Sequence, residues 1–141
     1  MSKIRPLLFL LLIFLAVLTT NYIISTRIGD VGNVNVSFKS TSHHSENEIK
    51  HTMNLVKSYF HKNFKSCKLT DLWYDDKRSL ASENEWKKQY NGTKAIILSS
   101  NFDVGFYGGD ASLNPGATYD HWEWVLVQDS KGKWAIKTYG Y

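Results

Sequence analysis

Asp75 and Asp76 follow Trp73 and Tyr74. A carboxylate set beside apolar rings can have its pKa raised, which suits a general base. Partners of the right type elsewhere in the chain are the hydroxyl of Tyr119 and the imidazole of His121. If residues 73–76 are extended, Asp75 and Asp76 point to opposite faces, so at most one of them serves a pocket. A plain alternative is that both acids end a strand ahead of the Lys77-Arg78 turn. Trp73, Tyr74, Asp76, Tyr119 and His121 are therefore the candidate ligand-pocket residues, and no residue is assigned a catalytic role.

Other constellations fail on detail. Asp110, Ser112, Asn114 and Gly116 have the spacing of a calcium loop, but Pro115 stands where that loop requires Gly and His121 where it requires Glu. His43 and His44 are adjacent and lack further ligands, and His51, His61 and His121 are scattered, so no metal site is expected. The single cysteine, Cys67, cannot form an internal disulfide and is expected to pack as a small buried hydrophobe. No glycine-rich phosphate loop, zinc-protease motif or nucleophile elbow occurs. No cofactor is expected.

Charge narrows the field further. The net charge is +4, but Lys3, Arg5 and Arg27 flank an apolar N-terminal run. The remaining 14 basic residues face 13 acidic ones. Such a near-neutral domain has no field for phosphates, so nucleic acid is not an expected partner. What stands out is the aromatic content, five Trp, eight Tyr and seven Phe. Some must fill the core, and the rest can line a pocket or a contact surface. Trp122 and Trp124 are expected in the core; Trp73, Tyr74, Tyr107, Tyr119 and Tyr139 are the candidates for exposure.

The elements that position these residues begin with the N-terminus. Leu7 to Leu18 is strongly apolar but as a helix reaches only about 18 Å, the length of a signal-peptide core. Pro6 to Ile24 carries no charge and reaches about 28 Å, enough to span a bilayer, with Tyr22 at one interface. Lys3 and Arg5 before the run, against Arg27 after it, place the N-terminus in the cytoplasm and the rest outside. Residues 1–27 are read as an uncleaved single-pass anchor, with secretion after cleavage as the alternative. Residues 28–44 are read as a linker, within which Val34, Val36 and Phe38 alternate as a short strand would.

Residues 45–141 read as one α+β domain. Ser45 and Glu48 have capping-box spacing, and Ile49, Met53, Val56 and Phe60 form the apolar stripe of a core helix. Cys67 to Asp76 reads as a strand, and Ser82 with Glu85 as a second capping box opening a short helix that ends near Asn91-Gly92. Lys94 to Phe102 is a strand, residues 103–116 a glycine-rich connection. Thr118 to Asp129 and Lys133 to Tyr139 form a hairpin about Ser130-Lys131-Gly132.

This order resembles the NTF2-like, or cystatin-like, group, in which a long helix lies across a curved antiparallel sheet. Trp122-Glu123-Trp124-Val125-Leu126-Val127, Gly132-Lys133-Trp134 and Gly140-Tyr141 also resemble extracytoplasmic domains of Gram-positive membrane-anchored proteins, as do Leu72-Trp73-Tyr74-Asp75-Asp76 and Leu113-Asn114-Pro115. The resemblance covers Ser45 to Tyr141 and its motifs are structural. Some enzymes of the group use an Asp in the cone with a Tyr hydroxyl, the arrangement known from ketosteroid isomerase. The expected function is a membrane-tethered extracytoplasmic binding or interaction module without catalysis, taking an unknown protein or small ligand. The alternative is a small-molecule enzyme with an Asp or His base in a cone-shaped pocket.

Overall fold

The structure, a computed structural model, describes residues 4–38, 43–106, 108–109 and 112–141. Lys3, the expected surface residue Tyr107 and Asp110 of the rejected calcium loop lie outside the described residues. The elements are α1 (Ile4–Arg27), β1 (Asn35–Phe38), α2 (Glu46–Asn63), β2 (Cys67–Tyr74), α3 (Asp76–Gln89), β3 (Lys94–Val104), β4 (Thr118–Gln128) and β5 (Trp134–Gly140). The chain is thus α+β with three helices and a five-stranded sheet in the order β1-β2-β3-β4-β5.

α1 contains one apolar window, Pro6–Ile23, with a mean hydropathy of 2.2 and no part of it buried in the protein. Helical geometry makes α1 about 36 Å long, against about 30 Å for a hydrocarbon core. The helix is compatible with a membrane anchor or with a signal sequence.

α2 forms for the reasons its sequence advertises. The Ser45 hydroxyl accepts from the Glu48 amide, and the Glu48 carboxylate accepts from the Ser45 amide, closing both ends of the capping box. Ile49, Met53, Val56 and Phe60 are all buried, so the stripe packs onto one face of the sheet. That face supplies Leu69, Leu72, Ile96, Leu98, Phe102, Trp124 and Leu126. Each such side chain contributes roughly 1.5–3 kcal/mol by leaving water. Trp124, fully buried, also donates its indole N–H to the Ser100 hydroxyl at 2.9 Å. Cys67 is buried, its thiol donating to the Lys65 carbonyl at 3.4 Å.

Three expectations need correction. The second helix does not begin at Ser82. Asp75 is its N-cap, accepting from the Arg78 amide at 2.8 Å, and Ser82 instead accepts from the Arg78 guanidinium. Asp75 and Asp76 therefore open a helix and do not alternate along a strand. The sheet is not wholly antiparallel, because β1 pairs parallel to β2, from Asn35 opposite Asp71 to Phe38 opposite Tyr74. Finally, the chain joins the domain well before Ser45. The Asp30 amide donates to the Cys67 carbonyl and the Asp30 carbonyl accepts from Leu69, an isolated bridge at the head of β2.

α3 serves the other face and an edge. β2 stops at Tyr74, opposite Leu98, which leaves the first residues of β3 without a strand on that side. α3 fills the gap. The fully buried Ser79 accepts the Ile97 amide at 3.1 Å, and Trp86 and Tyr90 pack on Ala95, Ile97, Val125 and Val127. Register shifts after Leu69, Ser100 and Val125 mark bulges, and each bends its strand.

Candidate functional site

The strands bring two chemically different regions to opposite ends of the sheet. At one end β2 begins, β3 ends, β4 begins and α2 terminates, and the chain leaving β5 carries Tyr141 towards it. Among the described residues nine aromatic rings run from there towards the middle of the sheet: Tyr59, Phe60, Phe64, Phe102, Tyr119, Trp122, Trp124, Tyr139 and Tyr141 are linked by neighbouring ring contacts 4.6–6.4 Å apart. The inner rings fill the space between α2 and the sheet. The outer ones wall a cleft of about 310 Å³ lined by Tyr59, Asn63, Phe64, Ser112, Leu113, Trp122 and Tyr139. That volume lies at the lower end of the range for small-molecule sites.

Its polar groups are neutral among the described residues. The Tyr59 and Tyr139 hydroxyls lie 3.3 Å apart. The Asn63 amide donates to the Tyr59 carbonyl, which fixes the side chain at the rim. The Trp122 indole N–H is buried and has no hydrogen-bond acceptor among the described residues. An unmet donor of this kind costs roughly 1–3 kcal/mol. The cleft runs into a second hollow of about 280 Å³ that shares Tyr59 and Asn63 and continues along Leu55, Ala135 and Ile136. Together they form a groove between α2 and β5. β5 is the last strand of the sheet, so its outer backbone edge borders the groove.

At the opposite end the polar groups are ionic. Lys94 meets Glu48 at 2.5 Å, and His44 lies 3.6 Å from Glu83. Burial pushes the Glu48 carboxyl up, but hydrogen bonds from Lys94 and Ser45 outweigh it and hold the group at about 2. Burial lowers the His44 pKa, and the nearby Glu83 and Glu48 charges only partly offset it.

The sequence-derived pocket residues do not all assemble. Trp73, Tyr74 and Asp76 line one open cleft of about 460 Å³ with Ser37, Phe38, Asp75 and Lys77. Tyr74, expected at the surface, is only 3% exposed, because the end of β2 is covered by His44, whose ring meets it edge-on at 6.1 Å. Its hydroxyl donates to Asp76 Oδ1 at 2.9 Å. His121 is exposed and meets Trp73 edge-on at 5.6 Å. Tyr119 sits at the other end of the sheet, stacked on Phe102, its hydroxyl accepting from the Asn114 amide.

Tyr139, one of the expected surface aromatics, is 41% exposed and lies in the groove. Tyr59 and Asn63 were not singled out by the sequence. Leu55 and Tyr59, four apart beside the core stripe of α2, are the signal that points to them. Among the described residues no cluster of three or more His, Cys, Asp or Glu side chains is disposed to hold a metal. No protein-family model matches the chain, and no curated protein or solved structure matches it either.

Proposed function

We propose that the chain is a membrane-tethered extracytoplasmic binding module, non-catalytic, that receives a protein segment or small ligand in the groove between α2 and β5. The observation that carries this reading is the groove itself. It joins aromatic walls, neutral hydroxyl and amide groups, the Lys62 ammonium at its α2 side and the edge strand β5. Aromatic rings with polar handles are favoured at contact surfaces, and an open edge accepts an extended segment as an added strand.

The tether is α1, retained as a single-pass anchor with its N-terminus in the cytoplasm. Lys3 and Arg5 against Arg27 support that orientation. The laying of α2 across one sheet face supports an NTF2-like domain, although the parallel β1 lies outside the antiparallel pattern of that group.

The enzyme reading has one observation in its favour, the Tyr74 hydroxyl against Asp76. Both groups are spent on each other, and Asp75 is spent on the helix cap. This leaves the pair with a structural role at the β2–α3 corner.

Hydrogen exchange tests the binding reading. Slower exchange at residues 134–140 and 55–63 in native membranes than in the purified full-length protein supports it. Unchanged exchange there, or slowing confined to residues 73–77, contradicts it. Protease added to intact cells should degrade the domain, and protection would reverse the orientation.

A further inference from the structure

The junction between α1 and the domain contains almost no chain. α1 ends at Arg27, and Gly29 is already seated in the domain. Its amide donates to the His61 carbonyl at 2.9 Å, and the His61 ring N–H at Nδ1 donates to the Gly29 carbonyl at 2.8 Å. The fit is close enough to require glycine. A Cβ at this position would stand 2.8 Å from the Phe60 ring and 2.9 Å from the Phe64 carbonyl. Asp30 then enters the sheet beside Lys68. One residue, Ile28, separates helix from domain, a reach of about 3.5 Å. Asn21 of α1 even shares a cleft with Gly29 to Gly32 and His61. The domain therefore has no spacer on which to stand away from the end of α1.

The end of the domain held at this junction is the aromatic end. Gly29 and Asp30 dock on the last turn of α2 and the head of β2, and the Gly105 amide donates to Ser66 in the same turn at 2.7 Å. Two of the most exposed large side chains of the folded domain are here: Phe106 is 84% and Tyr141 80% exposed. Tyr141 packs edge-on to Trp122 and stacks on Tyr119, which places it beside the start of β4. Lys62 and Lys65, both exposed, flank the same surface; of the acids there, Asp30 accepts from the Gly32 amide and Asp103 from the Thr118 hydroxyl, while the exposed Asp120 stands near Tyr141.

We infer that this end of the domain rests on the lipid surface, with Phe106 and Tyr141 entering the headgroup layer as a second membrane contact beside α1. The Tyr141 ring, apolar with a polar edge, is favoured at that depth, the Phe106 ring adds apolar area, and lysines snorkel around them towards headgroups. The inference rests on α1 spanning the membrane as proposed above. Seating the domain in this way would hold the groove between α2 and β5 at a fixed height and angle over the membrane.

Collision accessibility of spin labels on the full-length chain tests it. The chain is placed in phosphatidylcholine nanodiscs, with single variants Leu12→Cys, Phe106→Cys and Lys131→Cys. Cys67 is buried and stays unlabelled. The Leu12 site reports on the span, and the Lys131 site lies in the turn at the far end of the sheet. The expected result is a several-fold higher ratio of oxygen to nickel-chelate collisions at 106 than at 131, with 12 higher still. A membrane value at 12 with equal values at 106 and 131 overturns the second contact while leaving the anchor intact. A solvent value at 12 overturns the anchor, and with it the contact. If the Phe106→Cys chain does not fold, lipid-to-protein saturation transfer on the unsubstituted chain decides. Transfer to the amides of Phe106 and Tyr141 supports the contact, and transfer confined to α1 overturns it.

Discussion

The two ends of the sheet spend their polar groups differently. Around the end of β2 and the start of β3, ionisable groups are matched within the structure: Glu48 pairs with Lys94, the His44 ring lies beside Glu83, and the Tyr74 hydroxyl donates to Asp76. At the other end, hydroxyls and an amide line open space between aromatic walls, and the Trp122 indole N–H lies buried in one of those walls. A region whose titratable groups are consumed by its own caps and corners is built for stability. A region with large rings around an open groove retains the means to bind. The contrast is the ground for proposing a binding function at the aromatic end, although the acidic residues first drew attention to the ionic one.

The comparison can be broken by substitution, beginning with the core beneath the groove. Trp124→Ala should cost about 3–5 kcal/mol in chemical denaturation, since the ring is fully buried and its N–H is matched by Ser100. A loss below about 1 kcal/mol would mean that the aromatic end is loosely packed.

A smaller effect is expected where α3 closes the sheet edge. Ser79→Ala removes the acceptor of the buried Ile97 amide and should cost about 1–3 kcal/mol by the same measurement. No loss would show that α3 does not seal β3. At the start of that helix, Asp75→Ala should cost about 1 kcal/mol and Ser82→Ala less than about 0.5 kcal/mol. The reverse order would restore the helix start that the Ser82-Glu85 spacing predicts.

Acid should act on the ionic end through Glu48. Glu48 titrates lower in the folded protein than its ordinary value, so its contribution is complete above pH 4.5 and is lost as pH falls towards about 2. Because Lys94 is partly exposed, screening limits the contribution to about 1 kcal/mol. A melting curve that falls through this window in the native chain but not in Glu48→Gln sharpens the contrast. Equal acid sensitivity in the two would place the stabilising charge elsewhere.

Much of the scaffold was legible because local signals were unopposed. The capping box and four-residue stripe marked α2, and the Trp-, Val- and Leu-rich run from Trp122 to Val127 marked β4. α3 was misplaced by seven residues because Asp75 looked like the end of a strand, while Ser82 offered a familiar but unused cap. The parallel pairing of β1 was not legible, since it depends on a partner more than thirty residues away. The groove stayed hidden for the same reason. Tyr59, Asn63 and Tyr139 come together only once α2 has been laid beside β5, and no spacing within either element encodes that crossing. The acids at 75 and 76, by contrast, were conspicuous in sequence but are absorbed by the corner that they cap.

The most direct test compares the two ends in the intact cell. A photoreactive phenylalanine analogue is placed at Tyr139 in the groove or at Lys77 in the cleft beside Asp76, in otherwise native full-length protein. The account predicts light-dependent adducts of defined mass from position 139 that are lost when Tyr59 is also changed to Ala, and none from position 77. Adducts from position 77 alone, or adducts at 139 indifferent to Tyr59, would contradict it.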